Sequence, residues 1–158
     1  LYYSTVYAFA KDGDTRFNSS LERANAPDIK IIVRDGDFDV ALAKRLFPKA
    51  QMVSITPNSS EAERFLSITT GKADLTILDV TAVADYNAKN AKKLVRVGPK
   101  EPLAVYGNAL AVGINESALK EMIDTAVVYL LQTGIMDTLT ADFRKKYPDA
   151  IVLPGKPY

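Results

Sequence analysis

The sequence predicts an α/β fold: a mainly parallel five-stranded sheet with helices on both faces and one antiparallel strand. Three observations carry this. Short apolar or alternating runs recur between stretches of helical periodicity, so strand and helix signals alternate along the chain. Glycine and proline punctuate most of the junctions. The length of 158 residues suits one domain that buries roughly two-thirds of its unfolded surface.

Tyr2 to Ala10 is rich in aromatic and β-branched residues and ends at the turn Lys11-Asp12-Gly13-Asp14, which reads as a strand. KIIVR, Lys30 to Arg34, is a short buried strand. Gly36 opens a helix from Phe38 to Phe47, with Phe38, Ala41, Leu42 and Leu46 on its apolar face and Pro48 closing it. Gln51 to Thr56 is the third strand, stopped by Pro57. Ser60 and Glu63 then form a capping-box pattern for a helix whose apolar face is Ala62, Phe65, Leu66 and Thr69, ended by Gly71 as a C′ glycine.

Gly71 to Asp79, GKADLTILD, places a buried strand, Leu75 to Leu78, between two carboxylates. A helix from about Val80 to Asn90, a strand at Leu94 to Val97 and a longer strand at Ala104 to Ile114 follow. The alternation implies parallel pairing with right-handed crossovers. Leu119, Met122, Ile123, Ala126, Val127 and Leu130 mark an amphipathic helix of about four turns, stopped at Thr133-Gly134. A last helix, from about Ile135 to Lys146, is expected to face Leu139 and Phe143 inward, before a Pro-rich coil. The Leu1 start suggests a processed or trimmed chain.

Composition narrows the chemistry. With 47% apolar and 25% charged residues and a net charge of +1, the chain is globular, and its balance argues against a nucleic-acid partner. Lys92-Lys93 and Arg144-Lys145-Lys146 are read as solvated helix faces. With no Cys and no His, disulfides, thiolate nucleophiles, Ser-His-Asp catalysis and imidazole zinc sites are excluded, and no cofactor or metal is expected. No run approaches a membrane span, and LYYSTVYAFA lacks the basic flank of a signal peptide.

Ligands of open α/β sheets gather at the C-terminal ends of parallel strands, which singles out Asp79. It can receive a ligand or cap the following helix, and the two roles are compatible because one carboxylate has several acceptor sites. Asp74 reads as a turn residue facing solvent. On the same rim lie Arg34, which reads as more often solvated than ligand-bound, and the turn Gly36-Asp37-Phe38-Asp39. Thr56 with Asn58 and Ser59 reads as a Pro turn and helix cap ahead of a cleft lining. Tyr2, Tyr3, Tyr7 and Tyr106 can wall a pocket, although core packing is the commoner fate of such aromatics.

In this order, the motifs resemble the extracellular solute-binding proteins of polar amino acid ABC importers, whose fold recurs in ionotropic glutamate receptor ligand cores. The resemblance rests on Tyr2-Tyr3, IIVRDGD at Ile31 to Asp37, Gly71, Lys72, Asp74 and Asp79, ALAVGI at Ala109 to Ile114, Gly134, and RKKYP at Arg144 to Pro148. It implies a periplasmic-binding-protein-like (type II) lobe: residues 1–113 as a second lobe with both hinge strands, and 114–158 as helices returning toward a first lobe that this sequence does not supply. It also implies a small polar solute, amino-acid-like or cationic, bound by two-lobe closure, with ABC transporter membrane subunits as partners and a periplasmic or extracellular location.

Within the resemblance, Asp79 matches the residue that accepts a ligand ammonium group, and Gly36, Asp37 and Phe38 stand where the ligand carboxylate is received. Ser or Thr usually follows that glycine. Asp37 instead is expected to cap the helix or repel a ligand carboxylate with its own charge. Cyclohexadienyl dehydratases, which are similar to these binding proteins, and sensory ligand-binding domains are the alternatives.

Overall fold

The computed structural model describes residues 2–18 and 20–155. Leu1 and the last three residues of the expected Pro-rich tail lie outside them. The elements are β1 (Tyr2–Lys11), two short 3-10 turns, β2 (Lys30–Arg34), α1 (Phe38–Leu46), β3 (Gln51–Ile55), α2 (Glu61–Thr69), β4 (Leu75–Leu78), α3 (Val80–Lys89), β5 (Leu94–Val97), β6 (Ala104–Asn108), α4 (Ser117–Gln132), α5 (Ile135–Lys146) and β7 (Ile151–Val152). They divide into two compact units, Val6–Ala104 and the remainder, with β1 running through both.

In the unit Val6–Ala104 the strand order is β3-β2-β4-β1-β5. β2 pairs in parallel with β3, as Ile32 with Val53, and with β4, as Ile31 with Leu75. β1 is antiparallel to both β4 and β5, with Tyr7 opposite Leu78 and Ala8 opposite Val97. Four strands therefore share one direction, and the single reversed strand lies inside the sheet.

Alternation along these strands splits the core into two layers. Val6, Ala8 and Ala10 of β1, Ile31 and Val33 of β2, and Leu75 and Ile77 of β4 pack with Leu42, Ala43 and Phe47 of the α1 segment. Tyr7, Phe9, Ile32 and Leu78 pack on the other face with Phe65 and Ile68 of α2 and Val83 of α3. This is the three-layer α/β/α arrangement. Burying a large apolar side chain in either layer is worth about 1.5–3 kcal/mol.

The helix faces differ from the periodicity reading. In α1 the buried residues are Asp39, Leu42 and Ala43, while Phe38 is exposed. In α2 they are Arg64, Phe65, Ile68 and Thr69, with Leu66 outside. Both faces are turned by about one residue because each carries a charged side chain inward. Gly71 adopts φ +78° behind α2, as a C′ glycine must, and Ser60 Oγ accepts from the Glu63 N–H at 3.3 Å. Asp74 does not simply face solvent. Its carboxylate accepts from Lys30 N–H at 2.8 Å and from Arg16 Nη2 at 2.6 Å, joining the starts of β2 and β4.

In the other unit, the strand expected to reach Ile114 ends at Asn108, whose Nδ2 donates to Ser4 Oγ at 2.7 Å. Beyond it Leu110 and Ile114 are exposed, and apolar alternation without a neighbouring strand makes no ladder. The expected coil near the C-terminus contains β7, which pairs with β1 as Tyr3 with Val152. α4 buries no residue, and α5 buries Met136, while Leu139 and Phe143 are exposed. Tyr3 and Tyr106 are exposed as well, whereas Tyr7 is core, with the Arg96 guanidinium 4.6 Å from its ring centre.

Candidate functional site

β2, β3 and β4 point their C-terminal ends at one edge of the sheet, and α1, α2 and α3 all begin there. Each helix is preceded by a polar N-cap residue in extended conformation, Asp37, Ser60 and Asp79 respectively. Three helix N-termini with their partial positive charge thus share one rim, the position at which an open α/β sheet takes ligands.

Asp79 follows β4 directly because the buried strand ends at Leu78. Its Oδ1 accepts from the N–H groups of Thr81 at 3.0 Å and Ala82 at 3.1 Å, and from the Thr81 hydroxyl. The capping role is therefore real, and none of these bonds uses Oδ2. Half-buried at a strand end, the residue combines a held orientation with an acceptor oxygen outside the cap.

The Gly36 turn is built by φ +86° at Gly36 and by the Asp37 N–H donating to the Arg34 carbonyl at 3.1 Å. A non-glycine residue would be strained at that φ. Asp37 then sits at the N-cap of α1 yet accepts no capping bond. Its Oδ2 lies 3.5 Å from Arg34 Nη1 and 3.5 Å from Arg64 Nη2. Of the expectation that Asp37 caps the helix or repels a ligand carboxylate, the cap is corrected: the side chain makes no capping bond and lies beside two guanidinium groups instead.

Arg34 is not solvated either. Its Nη2 meets Glu61 Oε1 at 2.5 Å, and its side chain is 18% exposed. Behind it, Arg64 is fully buried, with Nη1 2.9 Å from Asp39 Oδ2 and Nε 3.4 Å from Glu61 Oε2. None of the three guanidinium nitrogens of Arg64 has an aligned hydrogen bond among the described residues. Burial pushes the Asp39 carboxyl above its ordinary range, and the Arg64 charge pulls it partly back. Three carboxylates and two guanidinium groups so form one network, whose more exposed members are Asp37, at 40%, and Glu61, at 34%.

Thr56 lies in the turn after β3, where its Oγ1 is 3.2 Å from Ser59 Oγ and its carbonyl accepts from the Ser59 N–H at 3.0 Å, a turn-building role. Phe38, at 44% exposure, stands on the rim in the first turn of α1. Glu61 and Ala82 also line a groove of about 330 Å³ between α2 and α3, walled by Phe65 and Tyr86, whose ring centres are 5.0 Å apart. The rim residues Arg34, Gly36, Asp37 and Phe38 fall within one five-residue turn, 34–38, and Asp79 opens the helix beside that groove. Sequence reasoning missed Arg64, Glu61 and the burial of Asp39. The signal was present: Asp39-Leu42-Ala43-Leu46 and Arg64-Phe65-Ile68 each keep helical face spacing.

No protein-family model and no curated protein matches this sequence. Solved structures do. The probable amino-acid ABC transporter extracellular-binding protein from Bacillus subtilis is 16% identical over 90% of this chain and 62% of its own, with a TM-score of 0.74. A putative L-cystine ABC transporter from Listeria monocytogenes is 18% identical over 90% and 61%, with a TM-score of 0.65. An ancestral amino acid-binding protein described as a precursor of cyclohexadienyl dehydratase is 23% identical over 89% and 56%, with a TM-score of 0.63. This chain therefore spans about three-fifths of the length of these structures. At such identities the likeness shows the fold, and the resemblance drawn from the order of motifs is borne out at that level.

Proposed function

We propose that this chain binds a small polar solute at the rim formed by Asp79 and the Gly36 turn, and that it supplies one lobe of a two-lobed receptor for ABC-type import. The observation that carries the reading is Asp79: a half-buried carboxylate at the C-terminal end of a central strand, its capping bonds gathered on one oxygen. The other oxygen suits a ligand ammonium group, because charge-assisted hydrogen bonds are the strong ones. The solute is amino-acid-like or cationic, its ammonium at Asp79 and any carboxylate toward the start of α1. Closure against a first lobe would bury the solute, as in hinge-bending receptors. The proposed setting is periplasmic or extracellular, with transporter membrane subunits as partners. The neighbours named as extracellular-binding proteins and ABC transporters support it.

Alone, this chain offers one wall. If a complete receptor binds in the micromolar range, about −8 kcal/mol, half the contacts leave about −4 kcal/mol, or millimolar affinity. The test is an amide-shift NMR titration of the chain with L-alanine. Saturating shifts at Thr81 and Ala82 in the millimolar range support the reading, and tight binding of an amino acid by calorimetry, or no shift at the rim, refutes it.

The ancestral neighbour described as a dehydratase precursor makes catalysis the second reading. Among the described residues, the carboxyl that burial raises is Asp39, sealed behind Arg64 where a substrate does not reach it. Turnover of prephenate or arogenate above background would overturn the binding assignment.

A further inference from the structure

We propose that Arg64, with Asp39 as its buried counter-charge, is a positioning residue for the solute: it holds the Asp37 carboxylate off the N-terminus of α1, so that this helix end stays open to a ligand carboxylate. The inference rests on the reading that this rim faces the solute.

Three helices start at this edge from N-cap residues of nearly the same backbone conformation. Asp37 has φ −82° and ψ 160°, Ser60 −75° and 156°, and Asp79 −74° and 157°. Ser60 and Asp79 each accept capping bonds. Asp37 accepts none, although Asp is among the strongest N-cap residues and its backbone is set for it. The difference lies in what stands beside it. Arg34 and Arg64 place one nitrogen each at 3.5 Å from Asp37 Oδ2, and a charge-assisted partner outcompetes a neutral backbone N–H.

Arg64 is the unusual member of that clamp. A fully buried guanidinium with no aligned hydrogen bond on any nitrogen is costly to keep, and its stem could be replaced by an apolar side chain in the same layer as Phe65 and Ile68. What the charge achieves, together with Arg34, is to neutralise Asp37, whose side chain makes no capping bond. The start of α1 thus keeps its positive end toward the rim, while the acid that would occupy it is drawn away. The same arrangement leaves Asp37 itself facing the solute edge, where it would disfavour a second anionic group on the ligand.

Hydrogen exchange of the first-turn amides of α1 reads this without any ligand. In the parent chain, Asp37→Ala should leave the protection of Val40 unchanged, because there is no cap to lose. In Arg64→Met/Asp39→Leu, which removes both buried charges together and so preserves the core, Asp37 keeps only Arg34 beside it, and the proposal requires that Arg34 alone does not hold it off the helix. The Val40 amide should then exchange about fivefold more slowly relative to its intrinsic rate, the effect of one capping interaction. Adding Asp37→Ala to that variant should abolish the gain. A merely structural pair would give faster exchange when removed, not slower. Fivefold faster exchange in Asp37→Ala alone, or unchanged or faster exchange in Arg64→Met/Asp39→Leu, overturns the proposal. In the parent, L-alanine should shift the Asp39 and Val40 amides, and this response should vanish in the double variant. Shifts at Thr81 and Ala82 alone overturn the open helix end while leaving the Asp79 reading in place; shifts at neither overturn both.

Discussion

The sharpest thermodynamic consequence concerns the buried pair Asp39 and Arg64. At 2.9 Å and an effective dielectric near 20, their gross attraction is about 6 kcal/mol. Withdrawing both charges from water costs several kcal/mol apiece, so the pair as a whole is near neutral against an apolar replacement. Deleting one partner is a different matter. Asp39→Ala leaves Arg64 buried, with Glu61 at 3.4 Å and Asp37 at 3.5 Å as its remaining counter-charges. These soften the loss toward the low end of the usual 3–5 kcal/mol, about 3 kcal/mol. For a chain of this length that is a fall in Tm of about 6–12 °C. Arg64→Met should cost a similar amount, because it strands Asp39 in the core. Arg64→Met/Asp39→Leu should lie within about 1 kcal/mol of the parent. The assay is urea unfolding at pH 7, followed by circular dichroism and tyrosine fluorescence together, so that uncoupled melting of the two units is detected. Single variants within about 0.5 kcal/mol of the parent, or a double variant as unstable as the sum of the singles, would refute the reasoning.

Four further outcomes follow from the same structure. Because burial raises the Asp39 carboxyl in the folded state, its contribution is complete below the unfolded pKa and is lost as pH rises through the folded one; the stability of the parent relative to Asp39→Asn should therefore fall with rising pH through the acid range, and a rise would show that Arg64 outweighs burial. Gly98→Ala should cost about 3 kcal/mol, since its φ is +87° and an added Cβ would lie 2.6 Å from Leu21 Cγ, whereas Gly36→Ala, at φ +86° with open space around it, should cost only about 1–2 kcal/mol in the same denaturation assay. Arg16→Ala should cost about 1 kcal/mol at neutral pH by loosening Asp14 and Asp74; Asp14 is held below its ordinary carboxylate range chiefly by its hydrogen bond from Arg16, so its share of the loss should fade as pH falls through that lowered pKa. Met122→Lys on α4, which buries no residue, should change stability by less than about 0.5 kcal/mol and reduce binding of an apolar dye; a large destabilisation would show that this face is packed.

How much of this was legible beforehand depended on how local the signal was. β2, β4 and the starts of α2 and α3 follow from residues within a few positions of each boundary: the Ser60 cap, the Gly71 stop, the apolar run Leu75 to Leu78. Asp79 was legible as both cap and rim carboxylate for the same reason. The Gly36 turn was legible, but the surroundings of Asp37 were not, because one of the two guanidinium groups beside it, Arg64, comes from another helix. An Asp in a first turn ordinarily serves the helix dipole, and an Arg among Glu61, Ala62 and Glu63 ordinarily lies in solvent, so a pattern reading moves both outward and shifts each face by a residue. The stretch from Ala109 to Ile114 failed in the opposite sense. Its alternation satisfies the local rule for a strand, while a ladder requires a partner that the described residues do not place beside it.

The central claim is that the Asp79 charge, beyond its cap, receives a cationic group of the solute. Asp79→Asn separates the two roles, because the amide oxygen can still accept from Thr81 and Ala82 while the charge is gone. The deciding measurement is an NMR titration of parent and Asp79→Asn with L-alanine, alongside their urea midpoints. The account predicts midpoints that differ by no more than about 0.5 kcal/mol in stability and affinity that falls at least about tenfold in Asp79→Asn. Equal affinity in the two proteins would contradict it, leaving Asp79 a helix cap and nothing more.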